Sequence, residues 1–87
     1  MKTQTQTYGG QLFITNELRE NTAISIEGTI RLRMIRQLQS DGYEAVDQPT
    51  YEWHRFTEID IMLDPDLPVG VGDWRLRATV RAIRTAE

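Results

Sequence analysis

Residues 22–39, TAISIEGTIRLRMIRQLQ, decide how the chain is read. The even positions are Ile24, Ile26, Gly28, Ile30, Leu32 and Met34, and the odd ones are Ser25, Glu27, Thr29, Arg31 and Arg33, with Ile35 the first break. Alternation of this kind is the period of a strand with one apolar and one polar face. On a 3.6-residue wheel the same apolar set spreads around the circumference, with Ser25, Glu27 and Arg31 falling among it. The stretch therefore predicts a long strand, with Gly28 marking a bulge or bend.

Working outward, a second alternation covers 51–63. Tyr51, Trp53, Arg55, Thr57, Ile59, Ile61 and Leu63 lie on one side, and Glu52, His54, Phe56, Glu58, Asp60 and Met62 on the other. A third covers 74–84, with Trp74, Leu76, Ala78, Val80 and Ala82 facing in and Arg75, Arg77, Thr79, Arg81 and Ile83 facing out. The stretches 40–50 and 64–73 read as loops, rich in Gly, Asp and Pro. Ahead of them, Tyr8–Thr15 supplies a short strand, Asn16–Asn21 a turn or a single helical turn begun by an asparagine cap, and residues 1–7 a flexible arm or an edge strand. Keeping apolar sides together fixes the parity of pairing. One such register sets Leu63 beside Trp74 and Ile61 beside Leu76, with Asp60 beside Arg77 and Phe56 beside Arg81 outside; Ile30 then meets Ile59 and Arg31 meets Glu58.

The expected fold is all-β: a small antiparallel sandwich or partly open barrel on three long strands (about 22–39, 51–63 and 74–84) plus the short N-terminal strand, as a single domain over 1–87. Chains of 87 residues do not split into domains, and one this small buries only about 60–65% of the surface its unfolded chain exposes. That thin margin, and an apolar face with no amphipathic helix to cover it, point to a homo-oligomer. The absence of cysteine removes disulfides and thiol chemistry. With no apolar leader and no spanning stretch, the expected location is the cytoplasm. Of ten basic residues only Lys2 is lysine, a bias that fits a GC-rich bacterial or phage genome. The net charge of -3 argues against a general nucleic-acid binder.

Little in the sequence points to catalysis. His54 is the only histidine and has a single carboxylate, Glu52, near it on its face. Ser25 and Ser40 lie outside any Gly-x-Ser-x-Gly turn. Asp64, Asp66 and Asp73 do not have the spacing of an EF-hand and read as turn caps, and Gly70-Val71-Gly72 leads into a strand rather than a helix. No metal and no cofactor is expected. Leu67–Ala78 resembles the closing hairpin of immunoglobulin-like sandwiches, but the Trp and Cys landmarks of that family are missing and no membership follows.

The outer face carries more information. Ile35, Phe56, Met62 and Ile83 lie among arginines there, the composition of an interface core, so the face is expected to be covered either by the N-terminal strand or by another protein chain. The expected function is a non-enzymatic protein-interaction module that binds a protein partner or itself through Arg33, Ile35, His54, Phe56, Met62, Arg81 and Ile83, in the manner of a phage assembly protein or host inhibitor. The alternative is anion or nucleic-acid binding by a band of Arg31, Arg33, Arg75, Arg77 and Arg81, unless acidic residues of a neighbouring strand neutralise it. Membrane binding is not expected.

Overall fold

A computed structural model describes residues 2–86. In chain order the elements are β1 (Lys2–Ile14), α1 (Asn16–Ser40), β2 (Glu44–Ala45), β3 (Thr50–Arg55), α2 (Glu58–Leu63) and β4 (Trp74–Ala86). The four strands form one open antiparallel sheet. β4 is central, with β1 along one side and β2 and β3 end to end along the other. α1 lies across one face of it, giving two layers in a molecule of 51 × 28 × 17 Å.

The all-β expectation holds for the antiparallel sheet and fails at residues 22–39, which are helical. The apolar residues that pack are Ile26, Ile30, Met34 and Leu38, one every fourth position, with Ile35 beside Met34. A spacing of four satisfies a test for period two, yet on a helix it draws a single stripe. The remaining members of the even series turn outward: Ile24 is 87% exposed and Leu32 49%. Gly28 is no bulge but an exposed helical residue with nothing within 4 Å of where its Cβ would be.

Both helix ends are built by short-range chemistry. The Thr15 side chain accepts the Leu18 N–H at 3.3 Å, satisfying one of the free donors of the first turn. At the other end the Tyr43 N–H donates to the Leu38 carbonyl at 2.8 Å and the Gly42 N–H to that of Gln39 at 3.0 Å, with Gly42 at φ +82°. This is a Schellman closure, sealed by burial of both Leu38 and Tyr43. Between the ends, Thr22 leaves helical geometry (φ -139°, ψ 20°), and its hydroxyl donates to the Leu18 carbonyl. Side-chain competition for a backbone carbonyl is a recognised cause of such a bend.

The sheet face beneath α1 holds Tyr8, Ile14, Leu76, Ala78, Val80 and Ala82, which are buried, with Leu12, Tyr51 and Trp53 packed against them. Gly10 allows the close approach, since a Cβ there would sit 3.2 Å from Cγ1 of Ile30. Arg75, Arg77, Thr79, Arg81 and Ile83 take the other face, so the alternation read over 74–84 describes β4 as it is built.

The second stretch is corrected in its latter half. Tyr51 and Trp53 face the core as expected, with α1 over them, but the strand ends at Arg55, and Leu76 pairs with Trp53 rather than Ile61. Thr57 and Asp60 cap one another reciprocally and start α2, so the alternation from 57 to 63 is not strand. The N-terminal strand, in turn, is long rather than short. Residues 2–7 are its outer half, paired to 81–86 at the sheet edge, while Met1 lies outside the described residues.

Candidate interaction surface

On the sheet face away from α1, cross-strand rows can be read from the register. Phe13, Arg75 and His54 form one, Gln11, Arg77 and Glu52 the next, then Gly9, Thr79 and Thr50. Thr5 and Thr7 continue it beside Ile83 and Arg81. Among the described residues no second sheet and no long helix covers this face.

At the β3 end α2 stands beside the face, tied to β3 through His54 and Asp60. Phe56 follows β3, is buried, and stacks on Phe13 with ring centroids 6.1 Å apart. His54 meets the Phe56 ring edge-on at 5.1 Å and places Nε2 3.1 Å from Oδ2 of Asp60. That same oxygen accepts the Thr57 N–H at 2.8 Å and the Thr57 hydroxyl at 3.1 Å. The backbone donor of Thr57, helped by His54 and the hydroxyl, holds the Asp60 carboxyl below the usual carboxylate range despite some desolvation. As a carboxylate it is acceptor-only, so His54 donates. The dyad fastens α2 to the sheet.

What α2 displays is apolar. None of its residues is buried, and Ile59 is 66% exposed, Met62 80% and Leu63 80%. Val71, in the loop that returns to β4, is exposed too. The expected core positions Ile59 and Leu63 thus belong to the surface. The signal that could have found them is Thr57-x-x-Asp60, a capping pair ahead of Ile61-Met62-Leu63.

The candidate residues separate into three places. His54, Phe56, Arg81 and Ile83 belong to the open face, Met62 to α2, and Arg33 and Ile35 to α1 on the opposite side of the sheet. The five-arginine band does not assemble, because Arg31 and Arg33 are helical while Arg75, Arg77 and Arg81 line β4. Of the latter, Arg81 is ion-paired to Asp47, and Glu52 stands opposite Arg77. Asp73 is a structural cap: one carboxylate oxygen accepts the Asn16 N–H at the start of α1, the other the Gly70 N–H. Among the described residues no group of three or more His, Asp or Glu side chains gathers at a spacing that holds a metal. No helix among them is long and apolar enough to cross a membrane.

A further cluster escaped the sequence reading because it needs the helix. Arg19, from the bent first part of α1, lies 3.9 Å from the Trp74 ring centroid and 5.0 Å from that of Trp53. The two indoles meet edge to face at 6.2 Å. Each indole N–H is satisfied from α1, Trp53 by Glu27 at 2.7 Å and Trp74 by Asn16 at 2.8 Å. Together these contacts fix the helix start over the sheet; each cation–π contact contributes about 0.5–2 kcal/mol. Compared with known proteins, the chain matches no family model, no curated protein and no solved structure.

Proposed function

We propose that this protein is a non-enzymatic interaction module that docks a partner protein on the α2 end of its sheet. The observation that carries the reading is α2 itself, a helix of six residues with none buried, held in place by a capping box and the His54–Asp60 hydrogen bond while Ile59, Met62 and Leu63 face outward. An isolated helix of this length is marginal in water, and large apolar side chains gathered on one are a recognition surface rather than a packing one. Phe56 and Phe13 beneath it supply a rigid base, and Arg75 and Arg77 a polar rim. Anion binding by the sheet arginines is the lesser reading, since Asp47 and Glu52 offset Arg81 and Arg77 on the β3 side.

The test is Ile59→Asp with Met62→Asp. Both positions are exposed, so unfolding free energy should change by no more than about 0.5 kcal/mol, while binding to a partner captured and purified from the source organism falls at least tenfold. Equal affinity of the variant removes α2 from the interface. Salt-sensitive oligonucleotide binding that disappears in Arg75→Ala/Arg77→Ala would favour the anion reading instead.

A further inference from the structure

The two edges of the sheet are unlike. On one side β4 is covered by β2 and β3, which are short, separated by a loop containing Pro49, and carry Glu44, Glu52 and the nearby Asp47. On the other side β1 runs alone for thirteen residues. From Thr3 to Asn16 it has no charged residue and no proline. Folded proteins blunt a strand edge with lysine, proline, a bulge or a very short strand. None of these guards the middle of β1. Alternate residues of Lys2–Ile14 turn their backbone N–H and C=O groups away from β4, with no strand beside them. Next to this edge is a groove of about 250 Å³ between the strand and α1, lined by Gly9, Gly10, Ile30, Arg33, Met34 and Gln37.

We infer that β1 pairs antiparallel with β1 of a second copy of this chain, giving a two-fold dimer with one continuous sheet. A second copy is favoured because the strand from Thr3 to Ile14 carries no charge, so pairing it with itself opposes no like charges along that stretch, and a two-fold contact closes without leaving another such edge. The β2–β3 edge would offer an added strand only short ladders and several carboxylates. In an antiparallel ladder both members of a hydrogen-bonded pair point their groups across the gap, so even residues of β1 meet even residues of its mate. Tyr8, Gly10, Leu12 and Ile14 face α1, so both α1 helices fall on one side of the joined sheet and the open faces run together on the other. The inference is independent of α2.

Light scattering of the full chain is expected to give the mass of a dimer that dissociates on dilution; a monomer at every concentration up to the millimolar range overturns the proposal. Thr5→Lys/Thr7→Lys places charges at exposed open-face positions of β1 and should weaken dimerisation roughly tenfold or more; an unchanged constant overturns it. Because the chain has no cysteine, single substitutions Thr5→Cys, Thr7→Cys, Gly9→Cys and Gln11→Cys report directly. Oxidation should cross-link best at the position nearest the two-fold axis and fall off on either side. No cross-link at any of the four, or a dimer abolished by Ile59→Asp/Met62→Asp but indifferent to the lysines, assigns the contact elsewhere and refutes the inference.

Discussion

Replacing Gly28 by alanine asks whether residues 22–39 are helix in solution. Gly28 sits in the interior of α1, is exposed, and has open space where a Cβ would stand. The added methyl therefore meets no neighbour, and the effect reduces to backbone propensity, about 0.8–1 kcal/mol in favour of Ala. For a domain of this size each kcal/mol moves Tm by about 4–8 °C, so Gly28→Ala should melt roughly 3–8 °C higher. Gly10→Ala is the matched control. Its Cβ would lie 3.2 and 3.3 Å from Cγ1 and Cδ1 of Ile30, a buried, β-branched side chain on a helix with little freedom to move aside. Overpacking of about 1–3 kcal/mol outweighs the roughly 0.4–1 kcal/mol gained from a stiffer unfolded chain, so this variant should melt lower. Circular dichroism melts at one fixed protein concentration measure both, since self-association would otherwise shift Tm. A Gly28→Ala protein no more stable than the parent refutes the helix, and a stabilised Gly10→Ala refutes the packing of Ile30 on β1.

Leu76 is fully buried in β4, between Leu12 and Trp53 of its neighbours, so Leu76→Ala should cost about 2–5 kcal/mol in urea titration, whereas Arg77→Ala beside it should stay within about 0.5 kcal/mol. Asp60 has a lowered pKa in the folded protein; the stability it adds is present above the unfolded carboxylate value and disappears as pH falls through the folded one, so acid should loosen α2, and Asp60→Asn should flatten the dependence of stability on pH below 4. Tyr8 behaves in the opposite sense. Burial, with its hydrogen bond to the Asp41 carboxylate at 2.7 Å, pushes it up to about 12; its contribution is intact below pH 10 and lost as pH rises from there toward 12, and Tyr8→Phe should abolish that alkaline loss.

The sequence exposed β4 and β3 as strands plainly; in β4, Leu76, Ala78, Val80 and Ala82 alternate with polar residues in a stretch that nothing local interrupts. Residues 22–39 deceive for a definite reason: Ile26, Ile30, Met34 and Leu38 keep step with both periods, and only the ends break the tie. Thr15 ahead of the segment, Asp41-Gly42 after it and the lack of any turn cluster between them are helix punctuation. At 57–63 a capping box of two side chains outweighed an alternation of seven, since a reciprocal cap fixes the chain direction locally while alternation needs a strand to pair with. The same boundary decided the candidate surface. His54, Phe56 and Met62 could be picked out as interface-like, but Ile59 and Leu63 become surface only once the strand stops at Arg55. The packing of Arg19 on the two tryptophans could not be read at all, because it joins residues that meet only when α1 folds over the sheet.

The position of β4 between β1 and the remaining strands also governs the order of assembly. Ile14 and its mate Trp74 are sixty residues apart along the chain, so at roughly 5–20 residues per second of synthesis the first strand waits about 3–12 s for its neighbour to be made. Its mature pairing is the most non-local the topology allows, which places folding toward the slow end for small domains. Throughout that delay a Thr- and Gln-rich ribbon without charge is left unmatched on each nascent chain, and on a crowded polysome the nearest compatible ribbon belongs to the neighbouring ribosome's product.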